Sequence, residues 1–164
     1  QNRVAGARER RTALLYAMSR ELAGTRGSDN MARVAVRHVA EVFDSLVVVL
    51  TPDAAGRLHY PRGTRLDISF RGADLSIAQW VFDHGQRAGL GTDTLPAAPA
   101  VYLPLGGTQR SLGVLAVLPT NRRRILLPEQ RHLLETFAGQ IALAWERTAL
   151  GEEAAASRIA RASR

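Results

Sequence analysis

The chain has 164 residues, of which 46% are hydrophobic, and this is enough for one domain of ordinary size with a buried core. Its formal net charge is +7, and because lysine is absent all 22 basic residues are arginine. Cysteine is absent too, which excludes a disulfide framework, a thiolate nucleophile and a cysteine-bound metal. No apolar run reaches the roughly 20 residues that span a bilayer and no signal peptide begins the chain, so we expect a soluble piece of a longer protein.

The first part of the chain predicts two helices followed by two strands. Apolar residues at three- and four-residue spacing predict a helix over residues 4–23, and Ser28 or Asp29 is the expected N-cap of a second helix. A continuous run of β-branched and leucine residues over 46–50 predicts a buried strand. A Pro/Asp/Gly turn then leads to a return strand over 57–60.

The middle of the chain predicts a loop and a third helix. Residues 61–73 have no periodic pattern and are assigned to the loop. Ser76 and Gln79 have the spacing of a capping box at the start of the helix. Gly85 is placed to end it, because glycine readily adopts the left-handed conformation of a helix C-terminus.

The last part of the chain predicts a hairpin and a long helix. Strands over 100–105 and 111–118 are joined by a short glycine-containing turn, and residues 119–127 form a basic loop. Pro128 suits the first position of the final helix. Because neighbouring strands are joined by hairpins, we expect an α+β fold with an antiparallel sheet and helices packed against it.

The segment from Ala78 to Leu105 contains most of the groups that could contact a small molecule. The loop residues within it can hydrogen-bond to their own backbone, or their oxygens can contact a ligand or a cation such as K⁺. The first interpretation is favoured, because such loops commonly satisfy themselves. The candidate ligand-binding residues are Trp80, Asp83, His84, Thr92, Asp93 and Thr94.

Asp83 and His84 are expected at the C-terminus of the third helix. The helix dipole favours an imidazolium there and disfavours a carboxylate. His84 is therefore interpreted as a cap, and Asp83 is expected to have a specific partner, either a loop N–H group or Arg87.

Catalysis and metal binding are not expected of this chain. No two of its four histidines have the i, i+3 or i+4 spacing of a helical metal site, and no nucleophile lies at a meaningful spacing from a base. His38, on the apolar face of the second helix, is interpreted as a satisfied core or boundary histidine. We therefore predict no catalytic residue, no metal and no cofactor.

Several motifs together resemble a known family. The strand LGVLAV at 112–117 and the helix PEQRHLLETFA at 128–138 resemble GAF domains, the small sensory modules of signalling proteins. YAMSREL at 16–22, IAQWVFDHG at 77–85 and AGLGTDTLP at 88–96 resemble the GAF region of the KdpD family of potassium-responsive sensor histidine kinases. The combination of the last two motifs is far more specific than the general GAF pattern.

The resemblance implies a fold, a position and a role. The fold is a central antiparallel sheet with the N- and C-terminal helices packed on one face. Residues 1–12 are expected to be a membrane-proximal linker, 13–148 the GAF domain, and 149–164 a linker helix toward the kinase core. The role is a non-catalytic cytoplasmic sensory and relay domain of an inner-membrane ATP-dependent histidine kinase, in a two-component system that controls potassium transport.

The resemblance also implies partners. These are the transmembrane helices before this domain and the dimerisation and phosphoacceptor domain after it. Separately from the resemblance, the apolar stripes of the flanking helices favour pairing with a second copy through those helices. Arg8, Arg10 and Arg11 form a membrane-proximal basic cluster, for which an anionic lipid surface is a candidate partner. Two alternatives remain, a GAF module that binds a nucleotide or K⁺ and a nucleic-acid-binding domain. The second is disfavoured because the arginines are dispersed and only 5% of residues are aromatic.

Overall fold

The structure, a computed structural model, describes residues 2–61, 73–106 and 111–163. These ranges contain helices and an antiparallel sheet, and the predicted α+β class is confirmed. The elements in chain order are α1 Asn2–Ala23, α2 Ser28–Phe43, β1 Ser45–Pro52, β2 Leu58–His59, α3 Ala73–His84, β3 Ala88–Gly89, β4 Val101–Gly106, β5 Ser111–Pro119, α4 Arg122–Ile125 and α5 Pro128–Ala162.

The strands form one antiparallel sheet in the order β2-β1-β5-β4-β3. The two longest strands, β1 and β5, are neighbours in its centre, with Ser45 opposite Pro119 and Leu50 opposite Val114. β3 pairs only with the first two residues of β4. Beyond these two residues, β4 has no described partner on the β3 side and is an edge of the sheet. Pro104 lies in this part, and its lack of an N–H group suits an edge position.

Both faces of the sheet are covered, which explains why β1 and β5 are apolar without alternation. Val49, Leu115 and Val117 belong to a core cluster shared with α1, α2 and α5. Their neighbours along the strands, such as Val48 and Val114, belong to a second cluster with α3. The prediction that the N- and C-terminal helices pack on one face is confirmed.

α1 and α5 run side by side in the same direction. Arg11 on α1 lies 4.0 Å from Glu129, at the start of α5. At the other end, the indole N–H of Trp145 donates to the Ser28 hydroxyl over 3.4 Å, just after α1 has ended. Within the described ranges, no helix has both the length and the apolar character needed to cross a membrane.

Two predicted helix starts are wrong. The N-cap of α2 is Gly27, with a φ of 86° and no side-chain cap, rather than Ser28 or Asp29. α3 begins at Ala73, so Ser76 lies inside the helix and does not cap it. Packing and backbone geometry outweigh these local signals. The start of α5 at Pro128 is confirmed.

Two short elements were not predicted from the sequence. β3 has two residues, and α4 has four residues inside the segment that was predicted to be a basic loop. The Asn121 side chain caps α4 by accepting a hydrogen bond from the Arg124 N–H at 3.3 Å. Residues 62–72 of the predicted loop and residues 107–110 of the predicted hairpin turn lie outside the described ranges.

Candidate functional site

Gln79 connects α3 to the β1–β2 hairpin. Its side-chain amide donates to the carbonyl of Gly56 at 3.0 Å and accepts from the N–H of Leu58 at 2.8 Å. It also donates to the carboxylate of Asp83, one turn further along α3, at 3.0 Å. The partner of Asp83 is therefore Gln79, and the expectation of a loop N–H or Arg87 is wrong.

Trp80 and His84 form a stacked pair at the end of α3. Their ring centroids are 4.3 Å apart and the planes differ by 18°. His84 Nδ1 lies 2.8 Å from the Trp80 carbonyl, so the ring donates its proton to a carbonyl of the last turn of its own helix. Gly85 follows with a φ of 65°, and its N–H bonds to Val81, which confirms the predicted helix end.

The loop after β3 is held by its own hydrogen bonds. The buried hydroxyl of Thr92 lies 2.7 Å from the Gly89 carbonyl and 2.8 Å from the Thr94 carbonyl, and it donates its one proton to these oxygens. It accepts from the Thr94 N–H at 3.2 Å. The Gly89 N–H in turn donates to the Thr94 carbonyl at 2.8 Å. Asp93 remains exposed.

Little free space remains where this loop meets α4 and α5. The cavity bordered by Leu90, Thr92 and Arg131 has a volume of about 10 Å³, which is barely enough for one water molecule. A Cβ atom added to Gly91 would lie 2.9 Å from a methyl group of Leu126. At this contact between the loop, α4 and α5, the described residues leave no room for a ligand.

The six candidate ligand-binding residues fall into two separate groups of contacts. Trp80 packs with the α3-side core cluster, whereas Thr92 borders the α5-side cavity on the other face of the sheet. Asp83 and His84 contact residues of their own helix. Among the residues that the structure describes, no group of three or more histidines and carboxylates is close enough to hold a metal ion.

The sequence alone gave no reason to single out an ion pair beside α5. Arg87, in the link after α3, donates to Glu135 on α5. The pair borders an open groove of about 270 Å³ between β4 and α5. Small residues on α5 leave space for this groove. Their spacing in the sequence was the signal from which the groove, though not the ion pair, could have been predicted. The other residues that line this groove are Leu103, Pro104, Gly106, Ala138, Gly139 and Ala142.

His38 lies at the contact between α1 and α2, where its Nε2 is 2.9 Å from the carboxylate of Glu21. Burial, and then the positive charge of Arg37, hold the pKa of His38 below its usual value, while Glu41 acts in the opposite direction. Glu21 also accepts a hydrogen bond from Arg37, which offsets much of its own charge. The prediction of a satisfied boundary histidine is confirmed.

The α+β fold agrees with the comparison with known proteins. The chain belongs to the GAF domain family, whose family model matches residues 29–147. This confirms the resemblance seen in the sequence.

Within that family, the chain is similar to the sensor protein KdpD. It is 40% identical to KdpD of Escherichia coli K12 over 163 residues, which are 98% of this chain and 18% of that protein. It is 27% identical to KdpD of Clostridium acetobutylicum over 159 residues, 93% of this chain and 17% of that protein. The chain therefore spans less than a fifth of the curated relatives that it matches.

A crystal structure gives the same result for the fold. The native GAF domain of the potassium sensor histidine kinase KdpD from Escherichia coli superimposes with a TM-score of 0.76 and 38% sequence identity. The match covers 87% of this chain and 98% of that one. The match therefore includes nearly the whole of that crystallised GAF domain.

Proposed function

We propose that this chain is the non-catalytic cytoplasmic sensory and relay domain of a KdpD-type sensor histidine kinase, within a two-component system that controls potassium transport. The observation that carries the proposal is the parallel course of α1 and α5. In this proposal residues 1–12 are the membrane-proximal linker, residues 13–148 the GAF domain, and residues 149–164 the linker toward the kinase core.

The packing of the two helices supports a mechanical role. Met18 and Leu22 of α1 and Phe137 and Ile141 of α5 are almost completely buried in the same core cluster. Close-packed interiors do not absorb a displacement gradually. A shift or rotation of α1 therefore favours an alternative position of α5, which is how a two-state relay transmits a signal.

The relay is tested by changing the rotational phase of α5 in the full-length kinase. One alanine inserted after Leu150 turns the following helix by about 100°, whereas seven inserted residues nearly restore its orientation. We expect the single insertion to abolish the dependence of autophosphorylation on potassium in membrane vesicles, and the seven-residue insertion to preserve it. Unchanged potassium dependence in both variants would contradict the relay.

We also propose that two copies pair through the flanking helices. α5 has 35 residues, and its last part extends beyond the domain core with Leu150 58% exposed. Leu143, seven residues earlier, is exposed on the same side of the helix, as in a coiled-coil seam.

Light scattering on the purified chain tests this pairing. Leu150→Asp should convert a dimer to a monomer, because a carboxylate is costly in an apolar seam. Ile159→Asp is the matched control, since Ile159 is 68% exposed and lies on the opposite side of α5. A dimer that survives Leu150→Asp, or that is lost equally in both variants, contradicts a seam on the Leu150 side.

The basic start of α1 supports a position next to the membrane. Arg8 and Arg10 are exposed, whereas Arg11 is partly buried beside Glu129. Arginines on the cytoplasmic side of a membrane segment are attracted to anionic lipids. We therefore propose an inner-membrane parent protein, with this domain on its cytoplasmic side.

Ligand binding is the second candidate function, and the stack of half-buried Trp80 on exposed His84 is the observation in its favour. Aromatic faces can bind a nucleobase by stacking or a cation by cation–π attraction. A ligand that binds only the folded chain must raise its melting temperature. A thermal-shift series with cyclic nucleotides and with K⁺, using Na⁺ as the control, tests this alternative. If the melting temperature of the parent chain is the same in every solution, and that of Trp80→Leu is likewise the same in every solution, these ligands are excluded.

A further inference from the structure

The segment between β5 and α5 presents three arginines and two leucines to solvent. Arg122, Arg123 and Arg124 are all exposed. The two leucines that follow α4, Leu126 and Leu127, are 43% and 54% exposed. Two neighbouring exposed leucines beside three consecutive arginines bring apolar and cationic side chains together on one short segment. We call these five residues the arginine–leucine edge.

The arginine–leucine edge is held in a fixed position. Ile125, between the arginines and the leucines, is only 5% exposed and belongs to the α5-side core cluster. Asn121 caps the start of α4, as described above. Leu126 lies against the self-bonded loop at Gly91. The exposed side chains therefore extend from a backbone that is anchored on three sides.

This edge lies at the end of the domain where α1 begins. β5 ends at Pro119, opposite the first residue of β1, and α5 starts beside Arg11. Arg8 and Arg10 are exposed on the same end of α1. The loop that carries Leu95 precedes β4 at this end too, and Leu95 is 50% exposed. Positive charge and apolar side chains are thus collected on one end of the molecule.

The charges of the edge are uncompensated within the described part of the chain. The ion pairs found there involve Arg11, Arg37, Arg87 and His38. None of them involves the arginines of α4. These three guanidinium groups therefore remain available to an anionic partner.

We propose that the arginine–leucine edge docks on an anionic lipid surface. The guanidinium groups of Arg122–Arg124 bind lipid phosphates, and Leu126 and Leu127 enter the boundary between headgroups and acyl chains. The leucines distinguish this partner from a nucleic acid, whose phosphate backbone offers no apolar phase to receive them. The proposal goes beyond the relay function and does not depend on it.

Sedimentation of the chain with lipid vesicles tests the proposal. We expect binding to vesicles of phosphatidylcholine mixed with phosphatidylglycerol, weakened by salt, and little binding to phosphatidylcholine alone. Replacing all three arginines of α4 by glutamine should lower the partition coefficient about a hundredfold. Leu127→Ser, which leaves the charge unchanged, should lower it several-fold.

A second triple variant controls for net charge. Arg26, Arg33 and Arg57 are exposed residues that lie away from the α1-start end of the domain, and their replacement by glutamine removes the same charge. This variant should keep most of the binding, and circular dichroism establishes that each variant is folded. Equal losses in the two triple variants, or equal binding to neutral vesicles, overturn the proposal. Tighter binding to duplex DNA than to vesicles, lost in the α4 variant only, overturns it in favour of nucleic acid.

Discussion

Arg87 donates a hydrogen bond to Glu135 and so joins the link after α3 to the first turns of α5. The two residues are 48 positions apart in sequence, and their pair closes one side of the groove between β4 and α5. It is a direct polar contact between the segment that leads into β3 and the helix that leaves the domain. A displacement of the segment between α3 and β3 can therefore be transmitted to α5 directly, without a rearrangement of the sheet.

The Arg87–Glu135 pair should contribute little to stability. The side chains are 50% and 40% exposed, so water screens the pair and its contribution should be below about 1 kcal/mol. Arg87→Gln, Glu135→Gln and the double variant, unfolded with urea at low and high salt, give the coupling energy by a double-mutant cycle. The coupling should vanish at high salt. A coupling of about 3 kcal/mol, typical of a buried pair, would contradict this account.

The Gln79 contacts should contribute more to the free energy of unfolding than the Arg87–Glu135 pair does, because they satisfy backbone groups. Gln79→Ala leaves the Leu58 N–H and the Gly56 carbonyl without their partner, at a cost of about 1–3 kcal/mol in the free energy of unfolding. Hydrogen exchange of the Leu58 amide should quicken at the same time. Gln86→Ala is the matched control, since Gln86 is exposed just after α3, and it should change stability by less than about 0.5 kcal/mol. Equal effects of the two substitutions would refute the role assigned to Gln79.

The sequence predicted the long elements well because their apolar periodicity reflects the faces that they bury. The central strands, the last helix and the end of α3 at Gly85 are of this kind. β3 and α4 are too short to show a period, with two and four residues. β3 exists because Gly89 pairs with Val101, which is a tertiary contact.

The candidate site was predicted less well, and Gln79 shows why. Its spacing from Ser76 suggested a capping box, but its partners Gly56 and Leu58 lie 23 and 21 residues away. Asp83 differs, because its partner Gln79 lies only four residues away on the same helix and the expectation of a partner in the following loop was a wrong choice among local partners. The self-bonding of Thr92 was predictable because Thr and Asx turns are local. Contacts between distant segments leave no such local signal.

Gly89 should tolerate no side chain. Its φ is 93°, and an added Cβ would collide with the Ala100 carbonyl and lie 3.0 Å from the Tyr102 ring. Gly89→Ala therefore combines backbone strain with overpacking, at a cost of about 2–5 kcal/mol. Gly27, with a φ of 86° and no neighbour within 4 Å, is the matched control. Gly27→Ala carries the strain alone, about 1–3 kcal/mol. Urea denaturation separates the two, and equal losses would show that the contacts at Gly89 are relieved by movement.

His38 should make stability depend on pH. Burial and Arg37 hold its pKa in the folded chain below the ordinary value of 6.5, so near that pH the unfolded chain binds more protons than the folded chain. The free energy of unfolding therefore rises with pH through the interval that ends near 6.5, and this contribution is constant at higher pH. Stability is correspondingly lost as the pH falls from 6.5 toward the lower pKa of the folded chain.

Urea denaturation at a series of pH values checks this dependence. His38→Gln should flatten the rise, because glutamine can still donate to Glu21 but does not titrate. His132→Gln, which replaces an exposed histidine of α5, is the control for the substitution itself. A parent chain that gains stability on acidification through this interval would mean that Glu21 outweighs burial and Arg37. In that case the α1–α2 contact would be strengthened by protonation instead of weakened by it.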